Sequence, residues 1–105
     1  MNFELSEEQK TYTETVGKFV RKEILPDVLA LEQSHVFPWA VVTKAWELGF
    51  LNLSVPESVR GYAVDAVSTA LIVRELSYGD TGISTSAMCN DLANVVIARH
   101  GTPEQ

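Results

Sequence analysis

Between Thr81 and Ala98 the sequence carries a single charged residue, Asp91, and its apolar and small side chains fall around the whole circumference of the helix they would form. A surface helix keeps its apolar residues on one stripe; a helix without a polar face has to be covered on most sides. Asp80 and Thr81 supply the start of this helix, and it ends before Gly101. Whatever the chain folds into must therefore surround this segment.

The rest of the sequence supplies more helices and no alternating strand pattern. Ser6-Glu7-Glu8-Gln9 reads as a capping box, in which Ser6 accepts from a first-turn N–H and Gln9 reaches back. Tyr12, Val16, Phe19, Val20, Ile24 and Val28 then recur at three- and four-residue steps, which predicts a helix over roughly 6–32. Pro26 weakens it, because it has no N–H to bond back to residue 22. Phe37-Pro38 opens a short second helix with Trp39, Val42, Ala45 and Trp46 as its apolar face and Gly49 as its cap. The segment from Phe50 to Val55 is too short and irregular for a helix, and residues 56–61 read as a loop. A third helix runs from an Asp65 cap to Ser77 or Tyr78, with Gly79 closing it. Thr102-Pro103-Glu104-Gln105 has the pattern of a fifth helix being opened, so the chain reads as a piece of a longer protein. The expected fold class is all-α, an up-and-down bundle of about four helices in one domain over 1–105.

Several functions are disfavoured by composition. The net charge of −6 and eight scattered basic residues do not suit a nucleic-acid partner. One cysteine, Cys89, excludes an internal disulfide, and with only His35 and His100 beside it a Cys/His metal site is not expected. No segment is apolar for long enough to span a bilayer. The acidic start lacks a basic region followed by an apolar run, so it does not read as a secretory signal, and it is unlike a mitochondrial transit peptide.

Phe3-Glu4-Leu5-Ser6-Glu7-Glu8-Gln9, Phe19-Val20-Arg21-Lys22-Glu23-Ile24-Leu25-Pro26, Ala45-Trp46-Glu47-Leu48-Gly49-Phe50, Val55-Pro56-Glu57 and Arg74-Glu75-Leu76-Ser77-Tyr78-Gly79-Asp80-Thr81-Gly82 occur in this order. In order and spacing this set resembles the N-terminal helical domain of acyl-CoA dehydrogenases, over essentially the whole chain. The resemblance implies a flavin-dependent parent that desaturates an acyl-CoA between Cα and Cβ, with FAD as hydride acceptor and electron-transfer flavoprotein as partner. It implies a homo-oligomer, located in the cytoplasm of a bacterium or the mitochondrial matrix of a eukaryote. The family's flavin-binding β-domain and catalytic glutamate have no counterpart in these residues, so no catalytic residue and no FAD bound to this chain alone are expected. The family's glycine-rich turn is replaced here by Arg60, Gly61 and Ala63, so this loop is expected to take another path or to bear strain.

By the same resemblance Ser84, Met88 and Leu92 line the fatty-acyl pocket; they lie four apart and share one helix face. Core packing accounts for the same row equally well. Cys89 has no basic neighbour to hold a thiolate and reads as a buried, inert thiol. His35 falls in a polar linker and His100 at a helix end, where a cation suits the dipole. Glu75 and Asp91 are expected to pair with a nearby arginine or a helix terminus. Two other readings stay open: a non-catalytic helical module that binds an acyl group or a protein, and a fragment without activity of its own.

Overall fold

The structure, a computed structural model, describes residues Met1–Gln105 and contains helices only, without strands. Helix α1 spans Glu7–Phe19 and opens on the expected capping box, with Ser6 Oγ accepting from Gln9 N–H and Gln9 Oε1 accepting from Ser6 N–H. The helical path then changes pitch rather than stopping. Val20–Ile24 is a π-helical turn, Leu25–Asp27 a 3-10 turn, and α2 resumes over Val28–Ser34. Pro26 is the cause: its ring would strike the carbonyl of residue 22, and a wider turn ahead of it relieves that contact. The rod expected over 6–32 is therefore one path with a built-in break.

Helix α3 covers Trp39–Glu47, with Pro38 just outside it rather than at its first position. It ends in a Schellman motif: Phe50 N–H donates to Ala45 O and Gly49 N–H to Trp46 O, with Gly49 at φ +80°. Helix α4, Ala66–Gly79, is capped by the Asp65 carboxylate, which accepts from Val67 and Ser68 N–H and from the Ser68 hydroxyl. The Ser68 hydroxyl above all holds the Asp65 pKa below its usual value. A depressed folded pKa means the cap is at full strength above the ordinary carboxylate range and is lost as pH falls through the folded value. Asp80 is both the end of α4 and the cap of α5, Thr81–His100, accepting from Ile83 N–H at 2.6 Å. Thr102–Gln105 form a turn, in which Gln105 Oε1 accepts from Thr102 N–H as the expected cap would require.

Helix α4 packs against α1 on one side and α5 on the other, and α3 packs against α5. The core joins Val16, Phe19, Val20 and Ile24 to Ile72 and Leu76, and closes over Ile83 and Ala87 of α5. Two expectations change here. On α3 the buried residues are Val41 and Ala45, whereas Trp39 and Trp46 are 69% and 63% exposed. The irregular segment after α3 contributes Phe50, Leu51 and Leu53 to the core, and Phe50 meets Phe19 edge to face at 5.5 Å. Large apolar side chains from a segment without periodicity thus plug the end of the bundle.

The molecule is a slab of 41 × 37 × 21 Å. That thickness accommodates about two helices of ~10 Å diameter, so each helix keeps one face outside. Helix α5 is consequently not covered on most sides as its composition requires; only Ile83, Ser84 and Ala87 are buried.

Arg60 and Ala63 both adopt left-handed backbone angles, φ +65° and +47°. The loop therefore keeps a path that suits glycine, and bears strain. Ala63 N–H donates to Val55 O and Val64 N–H to Leu53 O, which fixes that path. Between the two strained residues, a Cβ on Gly61 would lie 1.9 Å from Val55 O. Left-handed geometry costs a Cβ-bearing residue roughly 1–2 kcal/mol, offset in part by the greater chain entropy of glycine when unfolded. Ala63→Gly is expected to raise Tm by roughly 3–6 °C, and Gly61→Ala to lower it sharply, in thermal unfolding followed by circular dichroism. Equal effects of the two would contradict the strain assigned to residue 63.

Candidate functional site

The row Ser84, Met88, Leu92 lies on α5 and passes from the inside of the bundle to the outside. Ser84 is buried against α4, and its Oγ accepts from the Ser77 hydroxyl at 3.0 Å. Met88 packs half-buried at the edge of the core. Leu92 is 78% exposed. With 1.5 Å of rise per residue, the three positions extend about 12 Å along the helix. Val96 and Ile97 continue the exposed apolar surface beyond them. The row is thus core at one end and an uncovered apolar surface at the other.

Asp91 is the hinge between α5 and the plug. Its carboxylate accepts from Leu53 N–H at 3.0 Å, Ser54 N–H at 3.2 Å and the Ser54 hydroxyl at 2.6 Å. No arginine and no helix terminus takes part, contrary to the expectation for this residue. The backbone needs the acceptor: an irregular segment that buries Leu53 leaves N–H groups with no helical partner. Glu75 does pair as expected, with Arg74 at 2.7 Å, beside a cleft between α1 and α4 lined by Gly17, Arg21 and Tyr78.

Cys89 corrects the sequence reading, since its side chain is exposed and its Sγ donates to Ser86 O. It occupies the outward side of a helix with only one covered face. His35 takes a left-handed conformation at the end of α2, and His100 closes α5; both are exposed. No group of three or more His, Cys, Asp or Glu side chains is placed to hold a metal. No helix is long and apolar enough to cross a membrane.

Another cleft, of about 360 Å³, was not legible in the sequence. It brings Trp46 at the end of α3 together with Asn52, Arg60, Tyr62 and Asn94. Arg60 stood out only as a replacement for glycine, and nothing in its neighbours pointed to Trp46 or Asn94.

Comparison with known proteins places this geometry. Residues 6–105 match the family model described as "Acyl-CoA dehydrogenase, N-terminal domain". The chain is similar to the "Probable medium-chain specific acyl-CoA dehydrogenase 2, mitochondrial" of Caenorhabditis briggsae, with 33% identity over all of this chain and 26% of that protein. Similarity to a "Probable acyl-CoA dehydrogenase" of Bacillus subtilis reaches 37% identity, over 100% of this chain and 28% of that one. The short-chain specific acyl-CoA dehydrogenase of Rattus norvegicus is 33% identical, over 97% of this chain and 25% of that protein. Among solved structures, one from work on the electron-transferring flavoprotein of Acidaminococcus fermentans and flavin-based electron bifurcation superposes with a TM-score of 0.86. It shares 28% identity, over 99% of this chain and 28% of that chain. The chain spans about a quarter of the length of the relatives it matches.

Removing the Asp91 acceptor leaves two backbone donors and one hydroxyl unpaired in a half-buried place, at about 1–3 kcal/mol for each such group, with water compensating part. Asp91→Ala is expected to lower stability by about 2–3 kcal/mol in urea unfolding, and Asp91→Asn by less, since an amide keeps one acceptor. Hydrogen exchange should show the Leu53 and Ser54 amides losing protection first. Protection of those two amides unchanged in Asp91→Ala would contradict this role.

Proposed function

This chain belongs to the acyl-CoA dehydrogenase family as its N-terminal domain, and from that premise we propose that it forms one wall of an acyl cavity in a longer, flavin-dependent enzyme. The observation that carries the reading is the course of the α5 row, from buried Ser84 through half-buried Met88 to exposed Leu92. An apolar tail laid along this face would meet a fixed, packed end and an open end, where more protein or ligand can cover Leu92, Val96 and Ile97. Such cover also meets the demand made by a helix whose only charge between Thr81 and Ala98 is Asp91.

The proposed reaction is α,β-desaturation of an acyl-CoA, for which bound FAD supplies the hydride acceptor. The α5 row offers no free polar group to hold a flavin. The one hydroxyl on the row, Ser84, is buried and engaged by Ser77, and the helix backbone around it is bonded within α5. No catalytic base is assigned here, and these residues contribute packing and shape. Electron-transfer flavoprotein as acceptor, and a homo-oligomeric enzyme in the bacterial cytoplasm or the mitochondrial matrix, belong to the same proposal. Support for them comes from family membership and from the electron-transferring flavoprotein named in the structural comparison.

Met88 provides the test. Methionine is flexible and apolar and can adjust to tails of different length. Glutamate at this position would place a carboxylate in an apolar site, at a cost of roughly 1–3 kcal/mol unless it protonates or recruits water. In the longer protein, Met88→Glu is expected to lower kcat/KM for long acyl-CoAs by about 10- to 100-fold while short ones change little. An equal fall for both lengths would assign Met88 to the core and remove the row from the substrate.

A further inference from the structure

The cleft of about 360 Å³ lined by Trp46, Asn52, Arg60, Tyr62 and Asn94 combines groups that the α5 row does not use. Two aromatic side chains border it, and both are largely exposed: Trp46 at 63% and Tyr62 at 64%. Tyr62 is held in place by its ring lying over Gly49, where an added Cβ would come within 3.3 Å of the hydroxyl. Arg60 also lines this cleft. None of the chain's four ion pairs involves it, and no carboxylate lines the cleft.

The polar floor is equally specific. Asn94 Nδ2 donates to Asn52 Oδ1 at 3.0 Å. Asn94 Nδ2 donates also to Asp91 Oδ1 at 3.4 Å, so the donors of the Asn52 amide and the carbonyl oxygen of Asn94 are the groups left without a partner in the chain. A paired donor and acceptor of this kind matches the edge of adenine, which carries an amino group next to a ring nitrogen acceptor. Asn52 and Arg60 both reach the cleft from left-handed backbone positions, φ +57° and +65°. Their strain is maintained by the Ala63–Val55 and Val64–Leu53 hydrogen bonds.

Taken together, flat aromatic faces, an amide pair and an unpaired guanidinium are the parts that recognise a base and its phosphate. Aromatic faces stack on a base, the amides read its edge, and the guanidinium takes the anion. We infer that this cleft binds an adenine nucleotide, with the ring against Trp46 and Tyr62 and the phosphate on Arg60. The inference does not depend on the acyl cavity proposed for α5.

The test uses Trp46 as its own probe, in the 105-residue chain carrying Trp39→Phe so that one tryptophan remains. Adenosine 5′-monophosphate is expected to quench its fluorescence saturably, at concentrations below about 5 mM. Adenosine alone and inorganic phosphate alone should each bind at least about tenfold more weakly, since each lacks one half of the recognition. Coenzyme A distinguishes a free nucleotide from the nucleotide end of a thioester: tighter binding than the monophosphate assigns the latter, weaker binding the former. Arg60→Gly removes the guanidinium and also relieves the left-handed strain, so it should bind the nucleotide at least about tenfold more weakly while unfolding at a higher temperature. No saturable quenching overturns the inference. So does unchanged affinity in Arg60→Gly, or binding of adenosine or phosphate as tight as the nucleotide.

Discussion

The packing of α4 between α1 and α5 is the contact on which every other placement rests. Ile72 and Leu76 of α4 are almost wholly buried, in a core shared with residues of α1 and α5. At the C-terminal end of α4, Gly79 leaves room for Val20 and Ile24, where the helical path widens ahead of Pro26. One residue further on, Asp80 ends α4 and caps α5, so the second contact follows the first with almost no freedom of direction. A slab two helices thick follows, and with it the consequence that α5 meets the core on one face only.

The remaining apolar surface of α5 decides how the domain is read functionally. Burying apolar side chains is the main favourable term in folding, and large apolar patches left in water mark sites of contact. Ser84, Met88 and Leu92 cross the boundary between the packed face and that surface. Asp91, next to Leu92 in sequence, points to the loop instead and fastens Leu53 and Ser54 against the helix. One helix therefore has a packed side, a fastened side and an open side. Its single carboxylate is spent on backbone donors rather than on chemistry.

What could be read in the sequence was local. The Ser6 capping box, the Asp65 and Asp80 caps and the Gly49 terminator each involve groups within a few residues of one another, and all are present. The break at Pro26 was legible, but its form as a π-helical turn depends on how Val20 and Ile24 pack, which no spacing specifies. The α3 face was misassigned because periodicity marks apolar residues without saying which of them meets a neighbour; Val41 does, and Trp39 does not. Phe50, Leu51 and Leu53 carry no period at all, yet they plug the bundle. Cys89 was expected inside because no basic neighbour in the sequence holds a thiolate, and the thickness of the slab puts it outside. The Trp46–Arg60–Tyr62 cleft depends on contacts across more than forty positions, such as Asn52 to Asn94, and so left no trace in any local pattern.

The central claim is that the α5 row faces the acyl chain of the substrate. Photolabelling of the longer protein with an acyl-CoA carrying a diazirine at the end of its tail tests it without relying on a rate. Peptide mapping should place the label on Met88 or Leu92, moving from the first toward the second as the tail is lengthened, because the row runs outward from the core in that order. Label that never falls on α5, whatever the tail length, would contradict the account and return Ser84, Met88 and Leu92 to plain packing.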